Sequence, residues 1–428
     1  MLKTMAASAT ETGQRNIVIV GGGIIGCTSA YFLTRHPSFN PSTTKITIIE
    51  AQSIASAASG KAGGLLALWA RPACIVPLSY KLHAELAKEH DGAKRWGYRQ
   101  VYCGSIGATA RLLPETDPAQ TAESGGETWK KLPKVIPGKT AKKKSAVVDL
   151  PGDLDWFEKD NIQWYSEMGT PDTTAQVHPF QFTNAMAELA QEKGVQIIYG
   201  SVTAIDYTGN HVKSVTYEDK ETKHIHTLPA NDVIVSAGPW TTTVLPEAPI
   251  EYQRAHSVVV EANVSPWAVF TEIDLPKGFG RKMDGIVTKR RHGKMVNPEM
   301  YARPDGTVYA CGEGDEDVPL PRSSNLVQCD ESSCNDILDY VGSISDPMRN
   351  GKVLAKQACY LPLVKGGGGP LIGPTGVKGL WLAAGHTCWG IQNSCATGKL
   401  ISEFLFEGEA KSAGIGELDP RGVMDFRA

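Results

Sequence analysis

Three glycines that follow a short apolar run near the start of the chain constrain its fold more than any other feature. The run Asn16–Val20 has the length and composition of a fully buried strand. Gly21, Gly23 and Gly26 then form G-x-G-x-x-G, which allows a tight turn, close approach of a pyrophosphate and close helix packing. A second apolar run, Lys45–Glu50, ends in a carboxylate that can accept hydrogen bonds from a ribose diol. The glycines alone could be a plain turn, but the whole pattern predicts the βαβ unit of a dinucleotide-binding domain.

Two small-residue loops favour FAD over NAD as the dinucleotide. After Glu50 the chain enters the loop Ala57–Leu66, whereas an NAD domain normally continues as compact βαβ units. Small side chains allow such a loop to wrap a ribityl chain and to lie against an isoalloxazine ring. The second loop, Gly385–Asn393, precedes the last predicted helix, whose N-terminus would favour negative charge on a reduced ring. Each loop could be a simple glycine turn, but together they predict FAD.

The composition is that of a globular protein and has no excess of positive charge that would attract polyanions. The chain has 428 residues, room for two or three domains of ~150 residues. Its 43 basic and 46 acidic residues give a formal net charge of −3. We therefore expect no nucleic-acid partner, and leave a protein partner open.

The cysteines and the two ends of the chain predict a cytoplasmic protein. The nine cysteines include no Cys-x-x-Cys pair, and Cys329 and Cys334 lack matching histidines, so we expect free thiols and no metal site. Residues 1–15 lack the apolar core of a signal peptide and are expected to be disordered. The glycine-broken stretch Ile17–Leu33 is short for a membrane span, and the C-terminus is not a peroxisomal signal. Peripheral association with endosomes is left open.

Further periodic segments extend the pattern to the C-terminus. Apolar spacing predicts helices around Cys27–Arg35, Leu78–Glu89, Pro179–Lys193 and Asn393–Phe406. Buried strands are predicted at Asp232–Ser236 and Gly379–Ala384. Alternating Val, Tyr and Phe between residues 251 and 312 indicate an antiparallel sheet.

These motifs resemble the D-amino-acid oxidase, glycine oxidase and sarcosine oxidase superfamily of FAD-dependent oxidoreductases. The likeness covers nearly the whole chain, including Gln176–Pro179, Ser236–Trp240 and the loop at 385–393. The strings Ser59–Leu66 and Pro298–Arg303 are most similar to the fungal "topoisomerase damage affected" subgroup.

The resemblance implies an α/β fold with two domains built from discontinuous segments. A Rossmann-like FAD-binding domain with a parallel sheet is expected at 16–70, 172–245 and 370–428. A substrate domain with a mostly antiparallel sheet is expected at 71–171 and 246–369, with 114–145 as an exposed insertion. The resemblance and the N-terminal glycine pattern together give the expected FAD contacts, which are Gly21, Gly23, Ile24, Ile25, Gly26, Glu50, Ser59, Gly60, Gly63, Gly64, Leu65, Val202, Trp240, Gly385, Gly390 and Ile391.

The resemblance implies a small-molecule substrate and hydride removal from a carbon next to its amine, but the usual substrate clamp is missing. Amino-acid-oxidising relatives carry an arginine where this chain has Leu361, before Pro362. Sarcosine-oxidase relatives place arginines in the flavin loop, where this chain has Gly63 and Leu66, and an oxygen-activating lysine that Val308–Gly312 lacks. A simple amino-acid oxidase is therefore not expected.

The remaining polar candidates for catalysis are Arg254, His256, Tyr301, Arg303 and His386. The alternative is that most of them form hydrogen bonds between the domains. Two functions stay open at this point. One is amine oxidation; the other is a regulatory FAD-binding protein that acts through partners in endosomal trafficking.

Cys359 falls where sarcosine-oxidase relatives have the cysteine that bonds covalently to the flavin. The reaction requires a thiolate, and we expect Lys356 or Arg254 to favour it. The alternative is a small buried thiol that only fills space.

Overall fold

Two large β-sheets organise the chain in the computed structural model, which describes residues 13–113, 129–131, 148–280, 282–283, 286–287 and 293–424. The helices of these ranges are α1 (Ile24–Thr34), α2 (Ala58–Lys61), α3 (Val76–Glu89), α4 (Gly92–Trp96), α5 (Pro179–Gln191), α6 (Thr241–Val244), α7 (Glu331–Ile344), α8 (Asp346–Asn350) and α9 (Gly390–Glu407). The strands are β1 (Arg15–Val20), β2 (Thr44–Glu50), β3 (Leu65–Ala67), β4 (Arg99–Gln100), β5 (Tyr102–Thr109), β6 (Trp129–Lys131), β7 (Ile162–Gly169), β8 (Thr174–Gln176), β9 (Gln196–Asp206), β10 (Ser214–Asp219), β11 (Ile225–Pro229), β12 (Asp232–Val235), β13 (Ile250–Glu261), β14 (Trp267–Asp274), β15 (Lys282–Met283), β16 (Ile286–Val287), β17 (Met295–Val296), β18 (Glu299–Ala302), β19 (Thr307–Asp315), β20 (Lys352–Val364), β21 (Leu371–Pro374) and β22 (Leu380–Ala384).

The eight-stranded sheet has a parallel centre and antiparallel edges. Its order is β11-β10-β9-β2-β1-β12-β22-β21, and β9, β2, β1, β12 and β22 run parallel. Ile17 and Ile19 of β1 pack in one cluster with helices α1, α5 and α9, whereas Val18 and Val20 belong to the cluster on the opposite face. Because both faces are covered, the central strands are apolar throughout, as buried parallel strands are.

The nine-stranded sheet is antiparallel in all but one of its described pairings. Its main path is β20-β13-β19-β18-β14-β5-β7, with β17 paired to β14 and β6 paired to β19; β14 and β5 run parallel. Successive side chains of a strand point to opposite faces. Met300 packs with Ile337 and Tyr340 of α7, while Tyr301 packs on the other face with Leu65. The predicted fold class, with one parallel and one mostly antiparallel sheet, is confirmed.

Two helices begin earlier than their apolar spacing indicates. Helix α1 begins at Ile24 rather than Cys27, and α9 at Gly390 rather than Asn393. Neither N-cap residue accepts a hydrogen bond from the helix through its side chain. The sequence therefore carried no capping signal from which either start could be placed.

Helices α3 and α4 pack in the core of the eight-stranded sheet, although residue 71 was the expected start of the substrate domain. Ile75, Leu86 and Trp96 belong to the same buried cluster as Ile17. The Trp96 ring lies 5.5 Å from that of Phe182 in α5. The domain division stays a prediction.

Parts of the two segments expected to lack regular structure form strands. Arg15, expected in the disordered N-terminus, begins β1, and its Nε lies 2.7 Å from an Asp232 carboxylate oxygen. Residues 129–131, in the middle of the expected insertion, form β6, which pairs with Glu313–Asp315 of β19, beyond Cys311, the last residue of β19 that pairs with β18. Residues 1–12, 114–128 and 132–145 lie outside the described residues.

Helix α9 is held closely against α1. A Cβ at Gly398 would lie 2.6 Å from the carbonyl carbon of Thr28, so the two helices can approach this closely only with glycine there. No helix in the described ranges combines the length and apolar composition that crossing a bilayer needs.

Candidate active site

A cavity of about 290 Å³ lies between the carboxyl ends of the parallel strands and the second sheet. Val20, Glu50 and Ala384 line it from the ends of β1, β2 and β22, and Tyr301 lines it from β18. Ligands of open α/β sheets bind outside the carboxyl ends of their strands. The cavity is therefore where the fold would hold a dinucleotide.

Each of the three glycines of the first turn is required for a different structural reason. Gly21 has φ +107°, and a Cβ there would lie 2.6 Å from the Ser236 carbonyl oxygen. A Cβ at Gly26 would lie 2.0 Å from the carbonyl oxygen of Gly21. Gly23 lines the cavity, and a Cβ there would meet Ser59 Oγ at 3.1 Å. The first and third glycines thus satisfy the protein's own packing, and the second leaves room for a ligand.

Glu50 presents its carboxylate at the end of β2. Its Oε2 accepts a hydrogen bond from the Gly22 N–H at 2.7 Å, and its Oε1 accepts from the Gln52 N–H at 2.8 Å. Burial raises the pKa of Glu50, and the two backbone donors act in the opposite direction. Carboxylate oxygens have further lone pairs, so Glu50 can also accept hydrogen bonds from a ribose diol.

The loop after Ala57 lies directly against the second sheet. A Cβ at Gly63 would fall 2.3 Å from two ring carbons of Tyr301, so any side chain larger than hydrogen would separate the loop from the ring. The Lys61 ammonium donates to the Ala358 carbonyl at 2.9 Å. Arg303 Nη2 donates to the Ala62 carbonyl at 3.0 Å. Both cations therefore fix the loop to the sheet.

The loop before α9 contributes His386 to the cavity wall. Its Nε2 lies 2.9 Å from Thr397 Oγ1 within α9. Burial lowers the pKa of His386 to about 3. The imidazole is therefore neutral at ordinary pH, and it positions the loop rather than carrying a charge.

Arg254 and His256 are held by neighbouring residues of the second sheet. Arg254 Nε donates to both carboxylate oxygens of Asp315, at 2.9 and 3.1 Å, and neither side chain lines the cavity. His256 lines the cavity, but its Nε2 accepts the backbone N–H of Asp330 at 3.0 Å.

One part of the cavity wall that the second sheet contributes is aromatic and acidic. We call its residues Phe270, Glu299, Tyr301 and Tyr309 the aromatic end. The two tyrosine rings are parallel within 1°, with 6.0 Å between their centroids, and Phe270 meets Tyr301 edge-on at 6.1 Å. The Tyr301 hydroxyl donates a hydrogen bond to the Glu299 carboxylate. Burial raises the pKa of both tyrosines far above the usual range, so both phenols stay neutral.

Arg322 is the only arginine among the described residues that line the cavity, and its chain neighbours contact Trp240 and Ser56. The preceding Pro321 carbonyl accepts a hydrogen bond from Trp240 Nε1 at 2.6 Å. Ser324 Oγ lies 2.8 Å from Ser56 Oγ, and Ser56 in turn contacts the Glu50 carboxylate.

Most of the expected cofactor contacts line this one cavity, and their contacts with a cofactor stay a prediction. Those that line it are Gly21, Gly23, Ile24, Ile25, Glu50, Ser59, Gly63, Gly64, Leu65, Val202, Trp240, Gly385, Gly390 and Ile391. Cys359, His256, Tyr301 and His386 line it as well. Gly26, Gly60, Arg254 and Arg303 do not.

Sequence reasoning missed Lys61, Phe270, Glu299 and Tyr309 in the cavity wall. One signal was available for Glu299, because it lies two positions before Tyr301 and shares its face of a strand. Phe270 gave no such signal, since only the pairing of β14 with β18 places it opposite Glu299.

Cys359 is buried at the cavity wall, but its expected cationic neighbours are engaged elsewhere. Lys356 Nζ lies 2.6 Å from the Glu331 carboxylate, and Arg254 is held by Asp315. Burial raises the pKa of the Cys359 thiol to about 11, and Lys61 is the cation that opposes this shift.

The residues present fit FAD. The glycine turn and Glu50 can hold a pyrophosphate and a ribose, and the backbone at Gly63 leaves a wall without side chains beside the tyrosines. The 18-residue helix α9 begins at Gly390 on the cavity wall, where its dipole favours negative charge.

Comparisons with known proteins agree with this fit. The family model "FAD dependent oxidoreductase" (DAO) matches residues 16–404. "Putative oxidoreductase TDA3" of Saccharomyces cerevisiae is 36% identical over 98% of this chain and 96% of the yeast protein. "Putative oxidoreductase C1F5.03c" of Schizosaccharomyces pombe is 34% identical over 97% of this chain and 100% of that protein.

Among solved structures, glycine oxidase from Bacillus cereus has the same fold. The likeness covers 94% of this chain and 100% of the oxidase, with a TM-score of 0.63 and 18% identity. The predicted superfamily, the likeness to the fungal subgroup and FAD as the cofactor are confirmed by these matches. The chain belongs to the DAO family of FAD-dependent oxidoreductases.

Proposed function

We propose that the protein oxidises small cationic amines at a carbon next to the nitrogen, with the amine bound at the aromatic end. The observation that carries the proposal is the Glu299 carboxylate, which lies among aromatic rings with only 9% of the residue exposed. A buried carboxylate attracts a ligand that carries an ammonium, and the Tyr301 hydroxyl already donates a hydrogen bond to this carboxylate.

The charges of the cavity favour an ammonium over a substrate carboxylate. An ammonium is attracted both by a carboxylate and by the faces of Phe270 and Tyr301, whereas the Arg303 guanidinium already lies over the Tyr309 ring, 5.2 Å from its centroid. A substrate carboxylate at the same place would be repelled by Glu299. The Lys61 ammonium lines the cavity too, but it is bonded to a backbone carbonyl and lacks the two-pronged geometry with which arginine clamps a carboxylate.

The same residues can manage the proton of the amine. An ammonium must become neutral before a hydride can leave the neighbouring carbon, because its nitrogen needs a free electron pair. Glu299 accepts this proton at a carboxylate oxygen, and the Tyr301 hydroxyl stabilises the charged carboxylate beforehand. When bound, FAD supplies the two-electron acceptor for the hydride. Phe270 and Tyr309 exclude water from the wall around Glu299.

The buried carboxylate in the cavity wall supports an enzyme rather than a flavoprotein that acts only by binding partners. Glycine oxidase and iminodiacetate oxidase, which share the fold, are named for substrates that contain nitrogen. These names support C–N chemistry and leave the choice between an amine and an amino acid to the residues of the cavity.

The test compares matched substrates on the purified holoprotein without oxygen. Secondary amines and their α-carboxylated counterparts are mixed with the protein, and the loss of flavin absorbance is followed. We expect the amines to reduce the flavin faster than their carboxylated partners, and Glu299→Gln to abolish this preference. The control is Glu261→Gln, which changes an exposed glutamate at the end of β13. Faster flavin reduction by the carboxylated compounds would contradict the proposal. A flavin that none of the compounds reduces would contradict it too.

A further inference from the structure

Two cysteines that the cavity does not use meet at the start of helix α7. Cys329 is exposed and Cys334 is buried, and their sulfur atoms lie 3.4 Å apart. Cys329 precedes the N-cap residue Asp330, and Cys334 is the fourth residue of the helix. Side chains at these two positions commonly pack together across the first turn of a helix. Here the packed pair consists of two thiols.

The first turn of α7 holds this pair in place. The Asp330 carboxylate accepts hydrogen bonds from the Ser332 N–H at 3.1 Å and from Ser333 Oγ at 2.7 Å. The Asp330 N–H donates to His256 Nε2 at 3.0 Å. Asp330, which connects Cys329 to the helix, is therefore held by hydrogen bonds of both its backbone and its side chain. The two thiols thus meet without a rearrangement of the chain.

We propose that Cys329 and Cys334 are a redox pair that hydroperoxides convert into a reversible intramolecular disulfide. The proposal does not depend on which substrate the cavity binds, because the oxidant is a hydroperoxide and hydrogen peroxide can be added directly as the probe.

The two thiols differ in a way that assigns their roles. The hydrogen bond with Cys334 is the largest influence that lowers the pKa of Cys329, and the cations Arg254 and Lys61 act in the same direction. That bond and burial both raise the pKa of Cys334. Exposure and a lowered pKa are the properties of a thiol that reacts with peroxide. Cys329 is thus the attacking thiol and Cys334 the resolving one.

The chemistry balances in two steps. The Cys329 thiolate attacks a peroxide oxygen, the S–O bond forms, the O–O bond breaks, and the hydroxide that leaves takes up a proton to become water. The Cys334 sulfur then attacks the Cys329 sulfur, the S–S bond forms, and the S–O bond breaks. The proton of the Cys334 thiol leaves with the oxygen as a second water. A dithiol reductant reverses the change.

The test is peptide mapping of the holoprotein. The protein is reduced, freed of reductant, treated with hydrogen peroxide and alkylated, then digested with trypsin. Cleavage after Arg322 and Arg349 gives one peptide that contains both cysteines and no other. We expect this peptide to lose two hydrogens, to resist alkylation at both cysteines, and to regain both thiols after treatment with dithiothreitol.

Two variants make the roles testable. In Cys334→Ser, Cys329 should stop at the sulfenic acid and react with dimedone, while in Cys329→Ser the buried Cys334 should stay reduced. Cys388→Ser, which removes another exposed cysteine, should form the disulfide as the wild type does. Full alkylation of both cysteines after peroxide treatment would show that the pair only packs. Equal sulfenic acid in the wild type and Cys334→Ser would also overturn the proposal.

Discussion

The hydroxyl of Tyr301 and the carboxylate of Glu299 are hydrogen-bonded along one face of β18. If this carboxylate takes the proton of the substrate, Glu299→Gln should slow flavin reduction by amines about 10²-fold, the usual contribution of one acid–base group. Tyr301→Phe should have a smaller effect, because the carboxylate remains. Anaerobic stopped-flow measurement of flavin absorbance checks both, and equal rates in Glu299→Gln and wild type would remove Glu299 from the reaction.

Glycine, sarcosine and common D-amino acids should be poor substrates. Arg303 lies over the Tyr309 ring, but it donates to the Ala62 carbonyl and is not among the described residues that line the cavity. A charge-assisted clamp is worth roughly 1.5–3 kcal/mol, about tenfold to over a hundredfold in rate. Anaerobic flavin reduction by these compounds should therefore be at least about tenfold slower than by the best amine. Reduction by any of them at the rate of the best amine would contradict this expectation.

Glu50→Gln should weaken FAD binding by ~1–3 kcal/mol, because the charged acceptor of the ribose hydrogen bonds is lost. Glutamine keeps one oxygen for the Gly22 N–H, so the turn itself is disturbed less than by alanine. The dissociation constant is measured by titrating apoprotein with FAD and following flavin fluorescence. Glu247→Gln, which changes an exposed glutamate outside the cavity, serves as the control. Unchanged affinity in Glu50→Gln would mean that Glu50 does not hold the ribose.

The flavin should be released when the protein is precipitated with acid. Burial raises the pKa of Cys359 to about 11, so its thiol is protonated at neutral pH and lacks the nucleophilic form that a covalent bond requires. The absorbance of pellet and supernatant decides the matter. Yellow colour that stays in the wild-type pellet, and moves to the supernatant in Cys359→Ala, would establish the covalent link instead.

Stability should fall as the pH is lowered from 7 to 5, in part because of His83 and His386. Burial lowers their pKa values to about 4 and about 3, so both stay neutral in the folded protein while the unfolded chain takes up protons below pH 6.5. Each histidine then costs about 2 kcal/mol of folding free energy at pH 5 relative to pH 7. Thermal unfolding of His386→Asn should show a smaller difference between the two pH values. The exposed His224→Asn is the control, and an unchanged difference in His386→Asn would refute this assignment.

The parts of the site that are local in sequence could be predicted, and the parts that depend on strand pairing could not. Gly21, Gly26 and Glu50 lie within one strand–turn–helix–strand unit, whose spacing is fixed by backbone geometry. Arg254 and Arg303 were chosen as candidates by residue type. Asp315 and the Ala62 carbonyl engage them through contacts that no local pattern reveals.

The link between Pro321 and Trp240, together with that between Ser324 and Ser56, has a consequence for how the cofactor is exchanged. The first joins the segment between β19 and α7 to the turn after β12, and the second joins it to the loop after Glu50. If the dinucleotide leaves the cavity on this side, its release requires both bonds to open. The dissociation rate of the cofactor would then be set by the opening of these hydrogen bonds within the protein. The cofactor would therefore stay bound after dilution far longer than its own contacts imply.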